Sequence, residues 1–370
     1  MIVEAIRKLV DRLDGNIKEQ DVGSPFFGDP DYKIFPLSKE NFKAIKPVES
    51  KRRFMFVDGG NQEILGAPNF SIQFNRVYFN IFEAHQRVLW NSMPSRVEFL
   101  SATNSRFYED EIYYDTSIFP LEDKHKGLLP DEADLSFNSF DRTVTIGTQR
   151  ADIQRVASIA RKFAEWEYAF HVIEEEMEED NVLAVDGTLQ TGFTNELKYA
   201  QKVHRAAKSK GVIMIGLSKT SHLFTTTGLS LLGAVNKLAD DCGIPFDSWY
   251  IPVAEVATAD HNAFIYVVKL HLISNHVFRF EVCRDQFERL GEEGVDEIVG
   301  QLASNSQDVS FPGYPYGLVD ADRFARVSSN EIESYQAILL SEISRMGNWP
   351  KFLRHIRATD AHSILNMLMR

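Results

Sequence analysis

Two apolar segments of the sequence end in the same way, with an aspartate followed by glycine. The first is FMFVDGG, which contains Asp58, and the second is NVLAVDG, which contains Asp186. Short apolar runs of this kind predict buried strands. In open α/β sheets the ligand crevice opens at the carboxyl ends of the strands. The repeated pattern therefore predicts two rigidly held carboxylates at one edge of a sheet.

Asp-Gly also ends many strands simply as a turn, so a single copy of the pattern has a purely structural interpretation. Two copies on separate strands favour a chemical one. Phosphodiester hydrolysis needs paired acids, because two hard cations roughly 3.5–4 Å apart can stabilise both the attacking and the leaving oxygen. The glycines would permit tight turns and a close approach of the ligand to the backbone.

Periodicity along the chain predicts strands that alternate with helices. Strands are expected at 51–57, 70–83, 96–102, 181–186 and 211–217, with two more in 262–283. Helices are expected at about 152–179 and 194–208, an acidic irregular stretch at 109–134, and a mainly helical region over the last ninety residues. This alternation predicts an α/β fold with a mixed sheet.

A third acid should come from the helix at 152–179. Its apolar residues recur at three- and four-residue spacing, which marks the face that packs on the sheet. Glu167 lies on the flank of that face, where its carboxylate would reach a metal, and Glu165 is expected further toward solvent. The alternative is an ordinary glutamate at the border of a buried face.

Lys219 follows the strand GVIMIGLS and is expected at the same sheet edge as the two aspartates. A lysine there would bind a phosphate or a developing oxyanion, and His222 would play a similar part. A solvated loop lysine is the alternative interpretation.

The net charge of −13 has the wrong sign for a protein that binds nucleic acid over its whole surface. Basic residues nevertheless cluster at 43–53, 198–210 and 345–370, and such clusters suit a channel for a phosphate backbone or are solvated helix faces. Two cysteines form no disulfide framework, and neither a signal peptide nor a membrane-spanning stretch is expected, which predicts a cytoplasmic protein with no membrane partner.

Taken in order, these segments resemble those of the NurA nucleases over nearly the whole chain. The matching pieces are FVDGG, RKFAEWEYA, NVLAVDGTL, GVIMIGLSKTS, GYPYGLVDADRFARVS and the closing DAHSILN. The resemblance implies one NurA-type domain over 1–370, made of an N-terminal helix and arm (1–50), an RNase H-like core (51–290) and a helical C-terminal region (291–370). It also implies a toroidal homodimer with a HerA-like hexameric ATPase as its partner.

The implied activity is a Mn²⁺- or Mg²⁺-dependent exonuclease and single-strand endonuclease on DNA, acting in DNA end processing or in defence against foreign DNA. Asp58 and Asp186 match the metal-binding acids of the family, and the helical glutamate falls on Glu165 or on Glu167, which we take as the metal ligand. Tyr314 matches the tyrosine of the family's C-terminal YPxxLxxA motif.

Three positions bear on the rest of the site. Asp322 stands where archaeal members carry a histidine, so it would either ligate a metal or be the second acid of a surface helix beginning at DADR. Asn61 stands where serine is usual. His362 would supply the missing imidazole or is a buried structural histidine.

Two rival functions remain at this point. The altered histidine position suits a catalytically weak adaptor subunit of a HerA-like ATPase ring, whereas both aspartates are retained, which favours an enzyme. A metal phosphatase or small-molecule phosphodiesterase is less suitable, because the ten histidines show no metal-ligand spacing.

Overall fold

A computed structural model of the 370-residue chain describes residues 1–17, 21–48, 50–90, 92–352 and 354–356. The α-helices are α1 (Ile2–Ile17), α2 (Ile153–Ala157), α3 (Ile159–Glu176), α4 (Glu196–Lys210), α5 (Leu231–Asp241), α6 (Arg284–Asn305), α7 (Tyr316–Ala325) and α8 (Ser329–Arg345). The strands are β1 (Pro25–Phe26), β2 (Tyr32–Ile34), β3 (Lys43–Ala44), β4 (Arg53–Ala67), β5 (Phe70–Glu83), β6 (Gln86–Arg87), β7 (Arg96–Tyr108), β8 (Glu111–Pro120), β9 (Ser136–Asn138), β10 (Val182–Asp186), β11 (Ile213–Ser218), β12 (Phe224–Thr225), β13 (Trp249–Ala257), β14 (Asn262–Lys269) and β15 (Phe278–Cys283).

One large sheet organises the described part of the chain. Its order is β2-β13-β14-β15-β11-β10-β4-β5-β7-β8-β9, with β3 also paired to β13 and β6 to β5. Strand β10 runs parallel to both β4 and β11, whereas β4, β5 and β7 pair antiparallel. The central order β7-β5-β4-β10-β11 is that of an RNase H-like core. The expected mixed α/β fold with a helical C-terminal part is confirmed.

Helices cover both faces of this sheet, so the central strands are apolar on both sides. Along β4, Met55 and Val57 belong to a buried cluster with residues of α3 and α4. Phe54 and Phe56 belong to a second buried cluster with residues of α6 and α7. Because successive side chains of a strand point to opposite faces, β4 packs against α3 and α4 on one face and against α6 and α7 on the other.

Strand β4 differs from the expectation that it ends at Asp58. Its parallel pairing with β10 stops at Val57, opposite Val185, but its antiparallel pairing with β5 continues to Ala67. Gly59 and Gly60 consequently lie inside a strand and form no turn. Asp58 still lies where β10 ends, which is the feature that matters for the site.

The acidic stretch after residue 109 was expected to be irregular, and this expectation is wrong. Strands β7 and β8 form a long hairpin whose ends pair Tyr108 with Glu111. Glu109 and Asp110 have φ angles of 48° and 63°, the left-handed conformation that two-residue hairpin turns require. The acids here form a turn, and the aromatic and β-branched residues that follow form a strand.

The N-terminal arm also contributes more order than expected, because β2 and β3 pair with β13 at the edge of the sheet. Among the described residues no helix has the length and apolar character needed to cross a membrane. The division of the chain into one domain with three parts stays a prediction.

Candidate active site

Three aspartates from distant parts of the chain meet at the end of β10. Asp186 is the last residue of β10, Asp58 lies beside it in β4, and Asp322 comes from α7. One carboxylate oxygen of each lies within 4.8 Å of the others. The predicted pairing of Asp58 with Asp186 thus has a geometric basis, and Asp322 lies with them while its side chain stays exposed on α7.

Lys219 places its ammonium group among these acids. Its Nζ donates to Asp186 Oδ2 at 2.8 Å and to Asp322 Oδ1 at 3.0 Å. Burial lowers the pKa of Lys219, but Asp186 and Asp322 raise it more, so the net pKa lies above its usual value. The lysine is therefore an exposed residue of the loop after β11 whose positive charge is held beside Asp186 and Asp322.

Tyr314 holds Asp186 from the other side. Its ring is fully buried, and its hydroxyl donates to Asp186 Oδ1 at 3.1 Å. Burial and the neighbouring carboxylate of Asp186 hold the pKa of Tyr314 well above its usual value, so the hydroxyl keeps its proton. Asp186 is thereby oriented by one neutral donor and one cation.

Asp58 has no cation as close as the one that pairs with Asp186. Burial, together with the negative charges of Asp186 and Glu165, raises the pKa of Asp58 to about 8. The backbone N–H of Gly59 donates to its Oδ1 at 2.7 Å and offsets only part of this effect. Such a cluster of crowded carboxylates favours an added positive charge.

Glu165 is the helical acid that faces this cluster. The expectation that it points toward solvent is wrong, since the residue is buried and its carboxylate lies over Gly59. Arg161 and Lys162, one helical turn earlier, donate to its two carboxylate oxygens. Arg161 also donates to the Gly59 carbonyl at 3.1 Å. The i,i+4 spacing of Arg161 and Glu165 predicts this ion pair from the sequence.

Glu167, taken from the sequence as the metal ligand, is brought elsewhere. Its Oε1 accepts from Lys202 Nζ of α4 at 2.5 Å and lies 3.3 Å from His171 Nε2. Burial raises the pKa of Glu167, but the hydrogen bonds from His171 and Lys202 lower it more, to below its usual value. It lines a separate cavity of about 640 Å³ formed with the end of β8, residues 126–132 and α4. Both flanks of the middle of α3 are buried, so the spacing of its apolar residues does not distinguish Glu165 from Glu167 as the acid that faces the cluster.

Gly59 and Gly60 explain how the acids come so close. A Cβ on Gly59 would lie 2.5 Å from Glu165 Oε1, and a Cβ on Gly60 would lie 2.4 Å from the Ala325 carbonyl oxygen. The missing side chains let α3 and the end of α7 pack directly on β4. Close approach of protein to protein, and not a turn, is therefore the reason for glycine at both positions.

A polar cleft of about 620 Å³ opens beside the aspartates. Its lining includes Asp58, Asp322, Arg326 and the first residues of α8. Asn61, which replaces the usual serine, lies at this cleft and donates to Gln73 Oε1 at 2.7 Å. A cleft of this kind gives an extended polar ligand access to the carboxylates of Asp58 and Asp322, which lie beside Asp186.

Other sequence expectations fall outside the cluster. His222 is exposed in the loop after Lys219. In the basic cluster at 198–210, Lys198 pairs with Asp134 and Lys202 with Glu167, so these two lysines already have acidic partners. His362 and the part of the third basic cluster beyond residue 356 lie outside the described residues.

Comparison with known proteins adds to this geometry. Residues 52–327 match the NurA domain. The chain belongs to the NurA family. No curated protein matches the sequence.

A solved nuclease structure shares the fold of this NurA chain. The NurA nuclease from Sulfolobus solfataricus has a TM-score of 0.52 at 12% identity, and the match covers 93% of this chain and 95% of that one. Endonuclease V from Ciona intestinalis, solved with a 24mer DNA, has a TM-score of 0.35 at 7% identity, with 76% and 90% covered. At 12% identity the Sulfolobus structure establishes a common fold for the NurA chain.

Proposed function

We propose that this protein is a metal-dependent nuclease that hydrolyses phosphodiester bonds in DNA. The observation that carries the proposal is the convergence of Asp58, Asp186 and Asp322 within 4.8 Å, with Glu165 beside them. Membership of the NurA family and the fold shared with the Sulfolobus nuclease support a nuclease. The adaptor alternative is less well supported, because an adaptor does not need such a set of crowded acids.

The residues present fit a hard divalent cation. All the candidate donors are carboxylate oxygens, which suit Mg²⁺ and Mn²⁺. The raised pKa of Asp58 shows that the cluster favours added positive charge, and the ammonium of Lys219 already meets part of that need. Asp58, Asp186, Asp322 and Glu165 are the residues that would hold the ion. Glu167 is not included, because it lies with Lys202 at a separate cavity and not beside the aspartates.

When bound, the ion would activate water and neutralise charge on the phosphate. The protein's own contribution is orientation and fixed charge. Tyr314 and Lys219 fix the two oxygens of Asp186, and Arg161 and Lys162 fix those of Glu165. Lys219, at the mouth of the cluster, provides a cation for a non-bridging phosphate oxygen.

The direct test is cutting of end-labelled single- and double-stranded DNA by the purified protein. We expect cutting with Mn²⁺ or Mg²⁺ and none with a chelator. Because Asp58 must lose its proton to bind an ion, less metal should be needed for half-maximal cutting as the pH rises through about 8. Equal cutting in chelator, by protein shown to be free of metal, would contradict the proposal.

The finer activities extend this proposal. The family resemblance implies exonuclease and single-strand endonuclease action. It also implies a homodimer and work with a HerA-like hexameric ATPase, in DNA end processing or in defence against foreign DNA.

An apolar stripe on α1 supports assembly with another chain. Its side chains, each at least half exposed, are Ile2, Val3, Ile6, Leu9, Val10 and Leu13.

Removing this stripe should weaken assembly without removing metal-dependent cutting. Deletion of residues 1–15, or the double substitution Ile6→Glu and Leu9→Glu, takes away apolar surface that a partner chain would cover. Light scattering should report a lower assembly mass for both variants. Lys8→Ala is the control, because Lys8 pairs with Glu4 on the polar side of the helix. An unchanged mass in the deletion variant would rule out this role for α1.

A further inference from the structure

Two phenylalanines form an exposed pair close to the candidate active site. Strands β1 and β12 make a small separate sheet in which Phe26 lies directly opposite Phe224. The two residues are 57% and 51% exposed. Side chains directly opposite each other in an antiparallel pair lie on the same face, with Cβ atoms about 4.5–5.5 Å apart. The two side chains therefore project from the same face of this small sheet, and both are exposed to solvent.

Hydrogen bonds hold this small sheet in place. The Ser24 N–H donates to Thr226 Oγ1 at 3.1 Å, and the Thr226 N–H donates back to the Ser24 carbonyl at 2.9 Å. Leu223, next to Phe224, packs on the main apolar core. The rings are displayed on a fixed backbone, so a ligand that covers them does not have to order the chain first.

The pair lies within reach of the acidic cluster. Phe224 is five residues after Lys219, and five residues span at most about 17 Å. Lys219 Nζ is 2.8 Å from Asp186. A polymer bound at Asp186 therefore needs to extend only a short way to lie over the two rings.

The β12 side of the pair suits a polyanion, whereas the β1 side carries Asp21, Asp29 and Asp31. Residues 218–230 contain no acid and carry Lys219 and His222. Phe107, at the tip of the β7–β8 hairpin, is 68% exposed but is followed closely by three acids at 109–111. Phosphates would be repelled at that tip and are not repelled at the β12 segment.

We propose that Phe26 and Phe224 form a stacking platform for the bases of single-stranded nucleic acid leading into the cleft. Every base has a π face, so such stacking tolerates any sequence, and each stacked base can change affinity by about tenfold or more. The inference that the nucleic-acid strand leads into the cleft rests on the proposed nuclease function. Binding to the platform can be measured without cutting.

The experiment uses the full chain and a fluorescent oligothymidylate, with binding followed by fluorescence anisotropy in chelator so that no cutting occurs. We expect the double variant F26A/F224A to bind at least about tenfold more weakly than wild type. The variant F26Y/F224Y retains both rings and should bind as wild type does, which separates ring stacking from damage to the small sheet.

Phe107→Ala is the matched control, because it removes an exposed ring far from Asp58 and Asp186. Asp58 of β4 pairs with Tyr78 of β5, and Tyr78 pairs with Arg96 of β7, so Arg96 lies level with Asp58 across the sheet. Phe107 is eleven residues further along β7, or about 36 Å. Its loss should leave binding unchanged.

Equal binding by F26A/F224A and wild type would overturn the proposal. A fall in assembly mass with unchanged DNA binding would also overturn it, since the rings would then be a contact between protein chains. Binding that depends on the rings in a protein that cuts nothing with Mn²⁺ would leave the platform standing while the nuclease proposal fails.

Discussion

Asp58→Asn and Asp186→Asn should each lower DNA cutting by about three orders of magnitude or more while leaving the protein folded. Each change keeps the shape of the side chain and removes a negative ligand from the acidic cluster. Loss of a ligand that supports several kcal/mol of charge stabilisation corresponds to a loss of this size. The measurement is the single-turnover cutting rate at saturating Mn²⁺, together with the midpoint of thermal unfolding.

The chain contains a closely matched control for Asp186. Asp134 has the same side-chain exposure, 16%, accepts from Lys198 at 2.6 Å and accepts from the hydroxyl of Tyr199 at 2.7 Å. It thus repeats the lysine and tyrosine contacts of Asp186 and is not a member of the cluster with Asp58 and Asp322. Asp134→Asn should cut within a few-fold of wild type. Retention of more than about a tenth of the wild-type rate by Asp186→Asn would remove Asp186 from the site.

The second large effect distinguishes two buried glutamates on the same helix. Glu165→Gln should lower the cutting rate by about a hundredfold or more, because its carboxylate faces Asp58 across Gly59. Glu167→Gln should leave the rate within a few-fold of wild type and should instead lower the unfolding midpoint, because Lys202 would lose its buried partner.

Measuring rate and stability for both variants makes the comparison decisive. The alternative assignment of the helical acid predicts the reverse order, with Glu167→Gln inactive and Glu165→Gln active. Equal and small losses in both variants would mean that α3 supplies no ligand, leaving the three aspartates alone at the site.

Local pattern was sufficient to find the first two acids. Asp58 and Asp186 were predicted from a few residues each, because each directly follows an apolar run that predicts a buried strand, although β4 continues past Asp58 to Ala67. The order and parallel pairing of β4 and β10 are tertiary properties that local pattern does not give. The alternation of strands and helices along the chain nevertheless predicted that both strands belong to a mixed sheet.

Local pattern was insufficient for the acids on helices. The choice between Glu165 and Glu167 depends on how α3 is rotated over β4, and both of its flanks are buried. Asp322 reaches the cluster only because α7 packs against Phe54 and Phe56 on the opposite face of the same strand. No spacing within the sequence around Asp322 carries that information.

The two glycines of β4 have a consequence for how the site should be mapped by mutation. At Gly59 and Gly60 a methyl group would act as a wedge, displacing Glu165 on one side of the sheet and the end of α7 on the other. An alanine scan would therefore score both positions as essential although neither carries a reactive group. The geometry of this site depends on the missing side chains at Gly59 and Gly60 as much as on the charges of the acids. A redesign that changes the acids must keep both glycines.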